Sequence, residues 1–426
     1  MTAGTQRLLC ISNGHGEDAI ALQILQALPA ISSVSLAALP LVGDGRRYWQ
    51  QGIPLVGDAK VMPSGGFINQ DGRQLLRDLR GGLATLTLAQ LRAVRDWAAD
   101  GGAVLAVGDL VPLLFGWLSG LSYGFVGTAK SDYYWRNEQG LDPTWTGLEA
   151  QLVKRAGSFY LPWERWLLRS PRCRCVFPRD RLTTLGLQRH GVAAFDLGNP
   201  MMDGLNVPSW EQVAAQAKSA PLRLVLLPGS RPPEAYHNWQ QLLAAAASVQ
   251  AAFDPPLEFL AAIAPGLALD TLESALLTAG WQPISDGPKS ERQYQRAGAQ
   301  LRLSMTRFAD YLQQAQAAIA MAGTATEQFA GLGKPALTLP GAGPQFTPAF
   351  AQAQTRLLGC SVTLVDAPAA VGSQLSAILA DEVQRQQIYR NGVQRLGPPG
   401  ASQRIAEQLQ QSLRLPPGSE HRNLAR

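Results

Sequence analysis

Two loops in the second half of the chain carry residue types that suit the binding of a diphosphate. The first, LPGSR at residues 227–231, closes an apolar run that is typical of a buried strand. Gly229 would let backbone N–H groups approach a phosphate, Ser230 could hydrogen-bond it, and the Arg231 guanidinium could bind it through two parallel hydrogen bonds. Taken alone, the loop is equally compatible with a tight turn and a solvent-facing arginine.

The second loop gives the strongest signal in the sequence. An apolar strand ends at Gly323 and Thr324, where a helix is predicted to begin. The free N–H groups and the positive dipole end of such a helix favour phosphate, and Glu327, one turn further on, could hold the two hydroxyls of a ribose. An acid in the first turn of a surface helix is the plain alternative, but it explains neither the following GKP strand nor the loop rich in Gly, Pro and Gln, residues 340–354.

Candidate acids and bases follow two strands of the first half. SNGHGEDA, residues 12–19, offers His15 and Glu17, and GDLVP, residues 108–112, offers Asp109. Any of the three could deprotonate a substrate hydroxyl within hydrogen-bond reach. The alternatives are a glycine-rich turn with acids at a helix start and an ordinary Asp N-cap. We favour Asp109 slightly as the base, either alone or orienting His15.

The apolar runs that precede these loops recur along the chain and predict an α/β fold. Each run is short, is followed by a helical pattern, and is typical of a strand buried on both faces of a parallel sheet. Because ligands bind outside the carboxyl ends of such strands, the loops above are in the right places for a site. The predicted strands are residues 8–12, 34–42, 103–107 and 173–177, and then 222–228, 257–263, 317–321 and 335–340.

The rhythm of strands and helices predicts two doubly wound domains. A segment dense in Gly, Pro and Asn separates them, and GPPG at residues 397–400 precedes a last amphipathic helix. The predicted parts are an acceptor-side domain (1–203), a linker (204–220), a nucleotide-binding domain (221–396), a C-terminal crossover helix (397–415) and a disordered tail (416–426).

Composition narrows the classes of function. The chain has 426 residues, of which 46% are hydrophobic and 16% charged, and its net charge is +5. Its four cysteines are too scattered for a disulfide framework or a zinc site, and the apolar run at residues 8–11 is too short for a signal-peptide core, so we expect a cytoplasmic protein. The basic charge forms no run and carries no nucleic-acid signature, which leaves phosphate or an anionic membrane as the favoured partner.

Three stretches of the first half mix aromatic side chains with arginines: residues 46–51, 127–137 and 159–175. This composition suits a surface that rests on lipid headgroups, and it favours peripheral contact with the inner face of an anionic membrane. Partly buried amphipathic helices have the same composition and are commoner. All three stretches lie in the first half of the chain.

Several of these segments resemble one known family. LPGSR, GTATEQ followed by GLGKPALTLP, and LGNPMMDG preceded by CVFPRD resemble the matching segments of lipid-A-disaccharide synthase, an inverting glycosyltransferase of the GT-B type, and its divergent cyanobacterial branch in particular. The resemblance covers residues 172–359 well and the first half thinly. It implies a GT-B architecture, with two Rossmann-like doubly wound domains facing across a cleft and a C-terminal helix packing back. The peptidoglycan enzyme that adds N-acetylglucosamine to a lipid-linked acceptor shares a looser version of the second motif.

The resemblance also implies roles for individual residues. Asp109 falls where the family has its required acidic residue, whereas the histidine of the first loop departs from the family pattern. On the donor side the implied contacts are with the diphosphate (Gly229, Ser230, Arg231), with phosphate at the helix start (Gly323, Thr324), with the ribose (Glu327) and with the donor sugar (Gln345).

The resulting expectation is a hexosyltransferase that moves a GlcNAc-type group from a UDP-sugar to a lipid-linked or glycolipid acceptor with inversion. UDP-sugar is then a co-substrate, and no other cofactor is expected. The chain contains no D-x-D motif for a metal-bound nucleotide, so Arg231 and helix dipoles would meet the charge of the leaving group and no metal is expected. Two alternatives remain: a nucleotide-sugar epimerase of the same fold, and a non-catalytic protein that binds nucleotide-sugar or lipid.

Overall fold

The computed structural model of the chain describes residues 6–28, 33–59, 83–141, 146–254, 256–284, 291–343 and 345–415. The chain divides into two compact units: unit 1 comprises Met1–Asp203 and Gly400–Arg426, and unit 2 comprises Gly204–Pro399. The tail for which the sequence predicts disorder, residues 416–426, lies outside the described residues.

Unit 1 is built on a five-stranded parallel sheet in the order β2-β1-β3-β4-β7. Its strands are almost entirely buried, as their continuous apolar runs predict. They are β1 (Gln6–Ser12), β2 (Val34–Pro40), β3 (Ala103–Gly108), β4 (Ser122–Gly127) and β7 (Cys173–Phe177), while β5 (Arg136–Asn137) and β6 (Gly140–Leu141) form a separate two-stranded ribbon.

Helices flank this sheet. The long apolar stretch at residues 110–127 forms a buried helix and then a strand, and none of the described helices combines the length and apolar character that a membrane span requires. The helices are α1 (His15–Gln26), α2 (Arg46–Trp49), α3 (Leu83–Ala99), α4 (Leu110–Leu118), α5 (Leu148–Ala156), α6 (Pro162–Leu168) and α7 (Arg181–Arg189), with 3₁₀ turns at Asp132–Tyr134 and Pro200–Met202.

Unit 2 contains an eight-stranded sheet in the order β10-β11-β12-β9-β8-β13-β14-β15. Pairing is parallel from β12 to β15, and β11 is antiparallel to both its neighbours. The strands are β8 (Leu222–Leu227), β9 (Leu257–Ala262), β10 (Gln282–Pro283), β11 (Arg292–Arg296), β12 (Ala299–Ser304), β13 (Ala317–Ala320), β14 (Ala336–Thr338) and β15 (Val362–Leu364).

The helices of unit 2 cover both faces of its sheet. They are α8 (Trp210–Ala217), α9 (Glu234–Ala252), α10 (Leu269–Thr278), α11 (Phe308–Gln314), α12 (Thr324–Gly331), α13 (Pro348–Leu358), α14 (Val371–Ala380) and α15 (Glu382–Leu396). The hydrophobic core joins Trp239 of α9 and Trp281 to strand residues such as Phe259, all three fully buried or nearly so.

Residues 204–220 differ from the sequence prediction of a linker. They belong to unit 2 and contain helix α8. Ser209 starts this helix through a capping box, in which its hydroxyl accepts from the Gln212 N–H at 3.4 Å and the Gln212 side chain accepts from the Ser209 N–H at 2.8 Å. A helix of eight residues with a single buried side chain, Val213, gives too weak a periodicity to be recognised from sequence.

The last helix, α16 (Ala401–Leu413), returns to unit 1 and packs there. Its Ile405, Leu409 and Leu413 belong to the same buried cluster as Leu8 of β1. Asp203 holds the start of the helix, because its carboxylate accepts the N–H groups of Gly400, Ala401 and Ser402 at 2.6–2.9 Å. A carboxylate on the free N–H groups of a helix start is a strong, charge-assisted arrangement.

Candidate functional site

In unit 2, the two loops singled out from the sequence lie side by side. They follow β8 and β13, which are parallel neighbours in the sheet, and the Met321 N–H donates to Leu227 O at 2.8 Å. Gly229 has φ +96°, and a Cβ on it would lie 3.2 Å from Met321 O. The buried Asn238 side chain joins the loops by donating to Pro228 O and Met321 O at 3.0 and 3.3 Å. A glycine is required here because the two backbones approach each other closely.

Helix α12 begins directly after β13, with Gly323 at its N-cap and Thr324 as its first residue. The N-cap residue is a glycine and supplies no side-chain cap, and the positive end of the helix dipole lies at the carboxyl edge of the sheet. The N–H groups of Thr326 and Glu327 donate to Gly323 O at 3.1 and 3.2 Å, so a phosphate would be bound by the earlier N–H groups of the turn. Thr324 is exposed, whereas Glu327, one turn into the helix, is only 8% exposed. A buried Gln354 amide steadies the turn before the helix by donating to Ala322 O at 3.0 Å.

The structure brings residues 341–343, 345 and 346 to the same place. Gln345 Oε1 accepts a hydrogen bond from Arg231 Nη1. Glu234, at the start of α9 and 7% exposed, accepts the N–H groups of Gln345 and Phe346 at 3.2 and 2.6 Å through one carboxylate oxygen. A Cβ on Gly343 would overlap the Glu234 side chain, so this segment is fitted closely to α9.

The donor-side residues predicted from sequence therefore lie on adjoining loops. Gly229, Ser230 and Arg231 follow β8, Gly323 and Thr324 start α12, and Gln345 is bonded to Arg231. A guanidinium, a flexible glycine backbone and a helix start together provide positive charge and N–H donors for a diphosphate. Glu327 adds a carboxylate that could accept from a diol.

In unit 1, Glu17 and Asp109 lie close enough for their charges to interact, at the carboxyl ends of β1 and β3. Thr128, which follows β4, donates to Glu17 Oε1 at 3.2 Å. Asp109 is the N-cap of α4 and accepts the Val111 N–H at 3.0 Å, so the capping role considered from sequence is real. The Asn13 side chain also lies near the Asp109 carboxylate.

Both carboxyls are biased towards their protonated form. Burial raises the pKa of Glu17 above its ordinary value, and the charges of Asp109 and Asp18 add to this effect. Burial likewise raises the pKa of Asp109, against the lowering effects of the Val111 N–H, the Lys130 charge and the Asn13 side chain. A carboxylate with a raised pKa is a better proton acceptor, which is what a general base requires.

The third candidate base, His15, is the first residue of α1, and its side chain is outside the described part of the structure. Buried hydrogen bonds hold the loop that carries His15 in place. Ser12 donates to the buried Asp18 at 2.6 Å and accepts from Tyr48 at 2.7 Å. Gly14, at φ +130°, passes so close to strand β2's end that a Cβ would lie 2.7 Å from Val42 O.

Sequence reasoning missed several residues of this region. Thr128 and Lys130 follow β4 and were assigned only to an aromatic and basic stretch, although the position after a strand was a usable signal. Arg179 follows β7, donates to Thr128 O at 3.0 Å, and lines a small pocket beside Asn199 and Met201. Glu234 gave no signal in the sequence, since only its contact with residues more than a hundred positions away reveals its role.

The three aromatic and basic stretches differ in how far their aromatic side chains are exposed. In residues 127–137, Tyr133 and Trp135 are buried, so this stretch does not offer the aromatic surface that its composition suggested. In residues 46–51, Tyr48 is buried and Trp49 is 57% exposed. In residues 159–175, Trp163 and Trp166 on α6 are 57% and 61% exposed.

Solved structures of GT-B architecture match nearly the whole chain, and the chain has this fold: two Rossmann-like α/β domains, each built on parallel strands. MurG from Acinetobacter baumannii matches with a TM-score of 0.57 at 14% identity, over 95% of this chain and 99% of that one. The spinosyn rhamnosyltransferase SpnG matches with a TM-score of 0.51 at 18% identity, over 95% and 100%. A UDP-GlcNAc 2-epimerase from Neisseria meningitidis, solved with UDP-GlcNAc bound, matches with a TM-score of 0.51 at 13% identity, over 95% and 100%. No protein-family model and no curated protein matches the chain.

Proposed function

We propose that this protein is an inverting glycosyltransferase that uses a UDP-sugar, without a metal ion, to glycosylate a lipid-linked or glycolipid acceptor. The donor would carry a hexosyl group of the GlcNAc type. The resemblance of residues 172–359 to lipid-A-disaccharide synthase supports this choice of class within the GT-B fold, and so does the presence of a glycosyltransferase among the similar structures.

The observation that carries the proposal is the cluster at the carboxyl ends of β8 and β13. Arg231, hydrogen-bonded to Gln345, and the uncapped start of α12 supply positive charge and donors of a kind that stabilises a departing diphosphate. Glu327 is assigned to the ribose hydroxyls, Thr324 and Gly323 to phosphate, and Gln345 to the sugar. Similarity to a structure with bound UDP-GlcNAc supports a uridine nucleotide as the ligand.

Unit 1 is assigned the acceptor and the general base. In the proposed reaction an acceptor hydroxyl attacks the anomeric carbon of the sugar, the base takes the hydroxyl proton, and the bond from the sugar to UDP breaks with both electrons leaving on the diphosphate. Asp109 is the favoured base because burial raises the pKa of its carboxyl while the Val111 N–H fixes its position. Glu17 and His15 remain the other candidates, and Asp109 orienting His15 is a fourth arrangement.

A lipid acceptor is supported by the aromatic and basic composition of unit 1, where two exposed tryptophans lie among arginines. Such an acceptor would place the protein in the cytoplasm, peripherally at the inner face of the cytoplasmic membrane. Nucleic acid is not among the proposed partners.

An epimerase is the second candidate, because UDP-GlcNAc 2-epimerases are among the similar structures. An epimerase must remove and return a proton or nucleotide at the same sugar, which requires several acids and bases around the donor. In unit 2 the described loops that adjoin Arg231 bring Glu327 and Glu234 there, and Glu234 is engaged with backbone N–H groups. So few acids and bases in these described loops favour sugar transfer over epimerisation.

The experiment that tests the proposal is calorimetric titration of UDP and a panel of UDP-sugars, in the absence of metal, into the wild type and Glu327→Ala. We expect one UDP-sugar to bind and the substitution to weaken it about tenfold or more, which is about 1.4 kcal/mol. Glu211→Ala is the matched control, because Glu211 is an exposed first-turn acid on α8 of the same unit.

Turnover separates the three candidates. Release of UDP with a new glycolipid product supports transfer, whereas a changed sugar still attached to UDP identifies an epimerase. Binding without either product identifies a non-catalytic binder. If no uridine nucleotide binds, the donor assignment is wrong.

A further inference from the structure

Helix α6 has one face packed into unit 1 and one face that the described residues leave largely exposed. On the inner face, Leu167 and Leu168 are buried and the Glu164 carboxylate, 1% exposed, accepts from Lys130 Nζ at 2.6 Å. On the outer face, Trp163 and Trp166 are three positions apart and therefore adjacent on the helix. They are 57% and 61% exposed in the whole chain.

The exposed tryptophans continue onto a second helix. Trp166 contacts Trp117 of α4, with ring centroids 5.3 Å apart, and the Arg172 guanidinium lies 5.7 Å from the centre of the Trp117 ring. Leu114, one turn before Trp117 on α4, is 37% exposed. We call Leu114, Trp117, Trp163 and Trp166 the tryptophan surface.

The segment that carries α6 is rich in positive charge. Residues 151–190 contain nine Lys and Arg but only two acids, Glu164 and Asp180, and both acids are buried. Arg169 and Arg174, close to the tryptophans in sequence, are exposed. Large aromatic side chains are rarely left this exposed in the absence of a partner, and Trp beside Arg is the combination that binds the interface of an anionic bilayer.

We infer that the tryptophan surface docks unit 1 on an anionic lipid bilayer, with Trp163 and Trp166 entering the headgroup region and Arg169, Arg172 and Arg174 contacting lipid phosphates. The inference rests on the proposed function, since a lipid acceptor lies in such a bilayer. Charge complementarity selects the bilayer over a second copy of this chain, because two copies would bring like charges together.

The test is sedimentation of the full-length protein with vesicles of phosphatidylcholine and with vesicles of equal parts phosphatidylcholine and phosphatidylglycerol. We expect the wild type to bind the anionic vesicles and to release them as salt is raised. Trp163→Ser with Trp166→Ser should weaken binding about tenfold or more, whereas the two Trp→Phe replacements should retain most of it. Arg169→Gln with Arg174→Gln should weaken binding to the anionic vesicles alone, by about fivefold for each arginine.

Leu277→Ser is the matched control, because Leu277 is a large apolar side chain that is 55% exposed on α10 of unit 2, outside the aromatic and basic stretches, and its replacement should leave vesicle binding unchanged. Equal binding of the wild type and the double Trp→Ser variant would overturn the inference. So would a wild-type dimer that the double variant converts to a monomer while vesicle binding is unaffected, since the surface would then join two copies.

The proposals of a UDP-sugar donor and of bilayer docking can be rejected independently of each other. UDP-sugar titration reports on unit 2 and should be unchanged in the tryptophan variants. UDP-sugar binding without vesicle binding rejects the docking surface alone, and vesicle binding without UDP-sugar binding rejects the donor assignment alone.

Discussion

Replacing Glu234 with alanine should loosen the segment that carries Gln345. One carboxylate oxygen of Glu234 accepts the N–H groups of Gln345 and Phe346, and the side chain is 7% exposed. A hydrogen bond to a charged group contributes about 1.5–3 kcal/mol, and removal of the acceptor leaves two N–H groups without it. Because relief from burying the charge offsets part of the loss, we expect the variant to lower the free energy of unfolding by about 2–4 kcal/mol.

The functional consequence should appear in the donor site. With its anchor gone, Gln345 would hold Arg231 less well, so the affinity for a UDP-sugar should fall about tenfold. Glu234→Gln keeps an acceptor oxygen, so its stability and its affinity for a UDP-sugar should lie between those of the wild type and Glu234→Ala. Chemical denaturation measures the first effect and calorimetry the second, with Glu382→Ala, an exposed first-turn acid on α15, as the matched control.

A double substitution tests the same reasoning more directly. A Cβ on Gly343 would overlap the Glu234 side chain, so Gly343→Ala alone should destabilise the segment. In Glu234→Ala the obstructing side chain is absent, and the added cost of Gly343→Ala should be smaller by about 1 kcal/mol or more. Strictly additive effects, or Glu234→Ala with wild-type stability and affinity, would refute the account of this segment.

Two further predictions concern buried ionisable groups. Asp109→Asn should abolish transfer. The pKa of Asp109 is raised in the folded state, so the wild type loses stability as pH rises from the ordinary pKa of an aspartate through the raised one, and the variant should be the more stable protein above that range. Denaturation at several pH values should show the two proteins converging in acid. Lys334 is 1% exposed, and its ammonium donates to the carbonyls of Leu312, Gln313 and Ala315, so Lys334→Met should destabilise unit 2 by about 2–4 kcal/mol. Burial lowers the pKa of Lys334 to about 7 from an ordinary value of 10.5, so the stability of the wild type should also rise between those two pH values. Lys334→Met lacks this titrating group and should not show the rise. The same rise in Lys334→Met would contradict its assignment to Lys334.

The strands that could be predicted from sequence are those that are apolar on both faces. Runs such as that of β1 or β8 are continuous because the whole strand is buried. Strand β12 alternates instead, with Leu301 and Leu303 buried and Arg302 partly exposed, and β11 buries only Tyr294. Strand β15 has three residues. These three were missed because an alternating or very short pattern carries little hydrophobic signal.

The candidate site was predictable to the extent that it follows strands. The loops after β1, β3, β8 and β13 were found because parallel sheets bind ligands at that edge. The partners of those loops were not, since Thr128 lies 111 positions from Glu17 and Phe346 lies 112 positions from Glu234. Composition also could not separate Trp135, which is buried, from Trp163, which is exposed, because the two lie in equally aromatic and basic stretches.

The contact of the Asp203 carboxylate with the start of α16 bears on how the chain can be divided into its two units. Asp203 is the last residue of unit 1 before the chain enters unit 2, and Gly400, whose N–H lies 2.6 Å from that carboxylate, is the first residue after it returns. Unit 2 is thus an insertion whose two borders adjoin in unit 1. A direct bridge of a few residues from 203 to 400 should leave the α16 helix in place, so we expect each unit to fold as a chain of its own, which would allow the acceptor and donor binding proposed above to be tested on separate molecules.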